Sequence, residues 1–152
     1  MYQIETYLEP HYPVKRSYFS DIVQKTLGSN RIKGGVKLTI SVIGDRKMRS
    51  LNKQFRDIDS TTDVLAFPYT LETGTKQFID SSGDKYLNLG EVVISYPQLL
   101  NRAAKEETLV DEMLAILTIH GVLHLIGINH KTAEDTLLME SMEDQILSSI
   151  RS

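Results

Sequence analysis

Apolar positions recur along this chain in two rhythms, and the change from one to the other marks out the elements. Tyr2, Ile4 and Thr6 alternate with Gln3, Glu5 and Tyr7, which predicts a strand over residues 1–8. Val14, Tyr18 and Ile22, flanked by Phe19, Val23 and Leu27, repeat at helical spacing, with Pro13 placed to start a helix and Gly28 to end it. The β-branched run Val36–Ile43 predicts a buried strand. A helix follows over 45–56, with Asp45 as its cap and Met48, Leu51, Asn52 and Phe55 turned inward.

Residues 57–63 make a polar loop leading to a short strand, Val64–Phe67, stopped by Pro68. Between Leu71 and Leu87 the mixed polarity fits either a long loop or an irregular hairpin. Leu89–Ser95 predicts another buried strand, and Pro97 opens a helix to about Glu106. The next helix starts near Thr108 and runs to about Ile126, apolar nearly all round and therefore central. Thr132 caps a last helix carrying Leu138, Met142 and Ile146, with Met139 and Met142 as core rather than ligands. Strands and helices alternate early and helices alone follow. The expected fold is one α+β domain over 1–152, with a mixed sheet of about four strands and the helix bearing His120 and His124 at its centre.

That helix carries the chemistry. His120 and His124 are one turn apart on one face, and Gly127 can turn the chain back so that His130 approaches the same point. Two histidines on a helix face can be satisfied core residues; a third at the spacing of a glycine-turned metal motif points to ligation. Three imidazoles with a fourth position open to water is the ligand count of a catalytic zinc site. The spacing matches the protease motif H-E-x-x-H-x-x-G-x-x-H, but Gly121 stands where the glutamate base belongs. Glycine in a helix costs about 0.5–1 kcal/mol relative to alanine, so close approach of a substrate or a neighbouring backbone is expected there.

Charge adds a second clue. The net charge is −3, yet between Arg31 and Arg56 eight basic residues face a single acid, Asp45. A solvated helix face and a polyanion-binding surface are both consistent with that segment, which offers Arg49, Lys53 and Arg56 as phosphate contacts. Arg56 suits the bidentate phosphate fork, although a salt bridge with Asp57, Asp59 or Asp63 is its ordinary alternative. Asp63 could instead orient a ligand histidine. No run approaches a membrane span, the N-terminus lacks signal-peptide regions, and cysteine is absent, so a cytoplasmic protein without a membrane partner is expected.

Several segments in order carry a likeness: Leu51-Asn52-Lys53-Gln54-Phe55-Arg56, Thr62-Asp63-Val64-Leu65-Ala66-Phe67-Pro68, Leu89-Gly90-Glu91-Val92-Val93-Ile94-Ser95, and the three-histidine stretch. From about Leu51 to Leu147 the chain resembles the YbeY family of bacterial endoribonucleases, with Met139 and Glu143 falling on that family's trailing pair. The resemblance implies a zinc-dependent, single-strand-specific endoribonuclease acting in 16S rRNA 3′-end processing and ribosome quality control. It implies one zinc ion held by His120, His124 and His130, an activity-bearing Arg56, and RNA of the small ribosomal subunit as partner, with no DNA. Phe55 replaces the family's tyrosine, Ala66 a usual serine, Glu91 a common aspartate, and Asn129 the usual aspartate before the third histidine. An amide at 129 cannot accept a proton. The rival readings are a metallopeptidase-like amide hydrolase and a non-catalytic, metal-stabilised RNA-binding assembly factor.

Overall fold

The computed structural model describes residues 2–32, 35–69, 77–79 and 85–151. Its elements are β1 (Tyr2–Leu8), α1 (Arg16–Ser29), β2 (Val36–Ile43), α2 (Asp45–Arg56), β3 (Val64–Pro68), β4 (Gln77–Ile79), β5 (Lys85–Ser95), α3 (Tyr96–Lys105), α4 (Val110–Leu125) and α5 (Ala133–Arg151). The sheet is mixed, in the order β1-β2-β5-β3. β1, β2 and β5 are parallel, and β3 runs antiparallel along the outer edge of β5. The short β4 pairs with the start of β5, so the hairpin alternative holds for the described part of 71–87, and the rest of that stretch lies outside the described residues.

The alternation along β2 decides what each face of the sheet does. Val36, Leu38, Ile40 and Val42 point into the main core, where they meet Phe19, Val23 and Leu27 of α1 and Leu114, Leu117 and Val122 of α4. A second cluster joins Ile22 of α1 to Ile119 and Leu123 of α4 and to Met139 and Ile146 of α5. On the opposite face Ile43, Leu65 and Val93 pack against Met48 and Leu51 of α2, with Phe67 alongside. α4 thus packs against the sheet on one side and against α1, α3 and α5 around it, as its all-round apolar composition requires, and among the described residues no single helix is long and apolar enough to cross a membrane.

Several element ends differ from expectation. α1 begins at Arg16 rather than at Pro13, and it passes through Gly28 to a C-cap at Asn30. Gly44, not Asp45, holds the N-cap position of α2. Asp45 instead accepts hydrogen bonds from Thr61 (2.9 Å), Ser95 (2.8 Å) and Gln98 (3.1 Å), tying the start of α2 to the following loop and to α3. Burial alone would raise its pKa, but these three bonds favour the carboxylate and leave it lowered. Phe55 is 57% exposed rather than inward; its ring packs edge-on against Phe67. Leu109 rather than Thr108 precedes the first turn of α4, and the Thr108 hydroxyl donates to the Glu106 carbonyl. Thr132 does cap α5, accepting from the Asp135 N–H at 3.0 Å, and Met139 is buried core.

Candidate metal centre and its cavity

The geometry of the centre is set by how α4 ends. Its C-cap is Ile126, and Gly127 follows at φ 93°, a conformation that L side chains rarely adopt. The Ile128 N–H donates to the Leu123 carbonyl (3.0 Å) and the Gly127 N–H to that of His124 (3.1 Å), the paired bonds of a Schellman motif. Ile128 packs into the cluster that contains Leu123, which pins the reversed chain. His130 is thereby returned to the two helix histidines, with ring centroids 5.8 Å from His120 and 5.0 Å from His124.

One ligating nitrogen from each ring lies within 4.8 Å of the others. His120 Nε2 and His124 Nε2 are 3.2 Å apart. Imidazoles on a tetrahedral zinc, with bonds of about 2.0–2.1 Å, place their nitrogens about 3.4 Å apart. Three imidazoles this close, one of them on an exposed loop, fit a borderline metal such as zinc. His124 is held neutral in the metal-free protein, with its pKa lowered to about 4 by burial first, then by His120, His130 and Arg56, against an opposing pull from Glu143. A neutral imidazole is the ligating form.

The histidines open into a cavity of about 560 Å³ lined also by Asn52, Arg56, Thr62, Ala66, Asn129 and Lys131. Arg56 is the last residue of α2, which ends because Asp57 turns left-handed at φ 59°. The guanidinium donates to the Ala66 carbonyl at 2.9 Å, which steadies it at the cavity wall. Among the described residues it makes no ion pair, so the expected alternative with Asp57, Asp59 or Asp63 is not what the structure contains. The lining among the described residues includes no carboxylate.

Other candidates land elsewhere. Asp63 does not approach the histidines: it pairs with Arg102 at 2.9 Å and accepts from its own Val64 N–H. Glu143 of α5, not Asp63, stands beside a ligand histidine, with Oε1 3.2 Å from His120 Nδ1. A carboxylate there fixes the tautomer that presents Nε2 to a metal. Arg49 is paired with Asp59 on the surface at 2.8 Å, and neither Arg49 nor Lys53 lines the cavity. Asn129 does line it, and its side-chain oxygen accepts from the Lys131 N–H at 3.1 Å, a turn bond that an aspartate could also make. Lys131 was signalled only by its place beside His130. Glu143 was signalled only by the resemblance, as part of the trailing pair with Met139. Gly121 has its own explanation: a β carbon there would lie 2.4 Å from Val92 Cγ1. The close neighbour is a side chain of the central sheet, neither substrate nor backbone.

Fold and centre together define a small α+β protein built around a three-histidine cluster able to hold a metal ion. Residues 9–151 match the family model described as Endoribonuclease YbeY. An Endoribonuclease YbeY of Dehalococcoides mccartyi is 34% identical over 143 residues, covering 91% of this chain and 83% of that protein. One from Moorella thermoacetica is 31% identical over 144 residues, with 91% and 90% covered. A solution structure of a Thermotoga maritima protein shares the fold at TM-score 0.57 and 22% identity, over 99% of this chain and 92% of that one. The chain belongs to the YbeY endoribonuclease family.

Proposed function

We propose that this protein is a zinc-dependent, single-strand-specific endoribonuclease of the cytoplasm, acting on the 16S rRNA precursor in 3′-end maturation and in quality control of the small ribosomal subunit. The observation that carries the reading is that Arg56 shares one cavity with His120, His124 and His130 while no described carboxylate lines it. When bound, a metal in this site supplies Lewis-acid activation of water and of the phosphate. The chain supplies the rest. Glu143 orients His120. The Ala66 carbonyl occupies part of the Arg56 donor fork and leaves the remainder for phosphate oxygens, where charge concentrates in the transition state. Lys131 adds a second positive group at the cavity wall.

The peptidase alternative is weaker on the same ground. It needs a carboxylate base facing the substrate, and Glu143 is engaged behind His120 instead. The deciding experiment is elemental analysis of natively purified protein, combined with cleavage of single-stranded RNA by wild type and by His124→Ala. One transition-metal ion per chain and cleavage lost in the variant are expected. A metal-free, inactive wild type overturns the reading, and metal with no cleavage favours the non-catalytic assembly factor.

A further inference from the structure

The sheet face turned away from the main core carries a second cavity, of about 650 Å³, that the histidine chemistry does not use. Its floor follows from register. Thr39 pairs with Glu91 and Glu91 with Phe67 in one row; Tyr7 pairs with Ser41 and Ser41 with Val93 in the next. α2 forms one wall through Lys47, Ser50, Leu51 and Phe55. Around this floor stand aromatic rings left open to solvent: Tyr7 at 54%, Phe55 at 57% and Tyr69 at 46% exposure. Lys47 Nζ lies 5.6 Å over the Tyr7 ring.

We propose that this groove binds a nucleobase of the single-stranded RNA substrate, flanking the nucleotides held at the histidines. The proposal rests on the endoribonuclease reading and extends it. Exposed rings with a cation beside them are what a base and its phosphate require, because every base offers a π-face and stacking needs no fixed sequence. A polar group on the floor adds discrimination. Glu91 accepts from the Ser41 hydroxyl at 2.6 Å through Oε2, and Oε1 has no partner among the described residues. A carboxylate accepts from base N–H groups and repels base acceptors. Guanine, with N1–H and N2–H side by side, fits best.

The path between the two sites is short in the fold. Ala66 and Pro68 of β3 line the histidine cavity, while Phe67 and Tyr69 line the groove. Arg56 lies in one and the adjacent Phe55 in the other. β3 is the last strand of the sheet order, so a single strand of RNA passes from one cavity to the other by rounding it.

The test uses full-length, metal-loaded protein and fluorescently labelled single-stranded oligonucleotides, with anisotropy for binding and gel analysis for cleavage. Tyr7→Ala and Glu91→Gln are compared with wild type on an oligonucleotide long enough to span both cavities and on a dinucleotide. Tyr7→Ala should weaken binding of the longer RNA roughly ten-fold and leave dinucleotide cleavage unchanged. Glu91→Gln should abolish a preference for guanine over uracil in the longer RNA. Wild-type binding matched by both variants overturns the proposal alone and leaves the histidine-site reading standing. A wild type that cleaves no RNA removes that reading, and one that binds none removes this proposal too. Groove variants that lose a protein partner but not RNA would reassign the face to protein docking and overturn it.

Discussion

Gly121 is a glycine because of Val92: a β carbon at position 121 would stand 2.4 Å from one methyl of Val92 and 3.0 Å from the other. Both residues lie in the main core region, Val92 fully buried on β5 and Gly121 on the face of α4 that meets it. Alanine at 121 gains at most about 1 kcal/mol of helix propensity, whereas overpacking a close-packed core costs about 1–3 kcal/mol. Gly121→Ala should therefore lower the melting temperature by several degrees, and Val92→Ala in the same chain should recover part of the loss. Gly121→Glu should destabilise further and weaken metal retention by displacing α4. Thermal unfolding of the three variants checks this; a melting temperature unchanged in Gly121→Ala refutes the packing account.

Glu143→Ala removes the carboxylate beside His120 Nδ1. The ring loses its fixed tautomer, and outer-shell partners of metal-bound histidines are worth about 10–100-fold in affinity. Chelator competition should show zinc binding weakened by that order, with secondary structure retained. Unchanged affinity would mean that the pairing does not orient the ligand.

These two relationships also mark where the sequence was legible. The three histidines and Gly127 could be read directly, since ligation and a left-handed helix end depend on residues within eleven positions of one another. β1 was legible by its alternation, since burial on a pleat imposes a period of two, and β2 and β5 by their β-branched runs. Gly121–Val92, Glu143–His120 and Asp63–Arg102 join residues 29, 23 and 39 positions apart, whose meeting is decided by how α3, α4 and α5 dock. Local periodicity carries no information about such docking. Phe55 departs from its helical stripe for a related reason: next to the last residue of α2, its ring packs edge-on against Phe67 of β3 instead of entering a core.

Arg56→Lys keeps a positive charge in the cavity but loses the fork and the bond to the Ala66 carbonyl. Charged hydrogen bonds are worth about 1.5–3 kcal/mol, so kcat/KM for RNA should fall about 10–100-fold at unchanged metal content. Arg56→Ala should fall at least as far. Wild-type rates in Arg56→Ala would remove Arg56 from the reaction.

The pH dependence of the metal-free protein follows from His124. Its imidazole titrates near 6.5 in an unfolded chain and at about 4 in the fold, principally because burial disfavours the cation and secondarily because His120, His130 and Arg56 stand close. The unfolded chain then binds the extra proton between those values and the native state does not. Stability from this group is fully present above about pH 6.5, falls as pH drops towards 4, and is level below that. The ring is only half-buried, so solvent screening reduces the effect to the order of 1 kcal/mol. Urea unfolding in the presence of a chelator, at pH 7.5 and pH 4.5, should show that loss in wild type and a smaller one in His124→Gln. Zinc in excess at pH 7.5 should raise the wild-type midpoint and leave that of the variant nearly unmoved, because ligand binding to the native state adds stability only where the ligand set is complete. Equal pH slopes in the two proteins would mean that His124 is not held neutral by its surroundings.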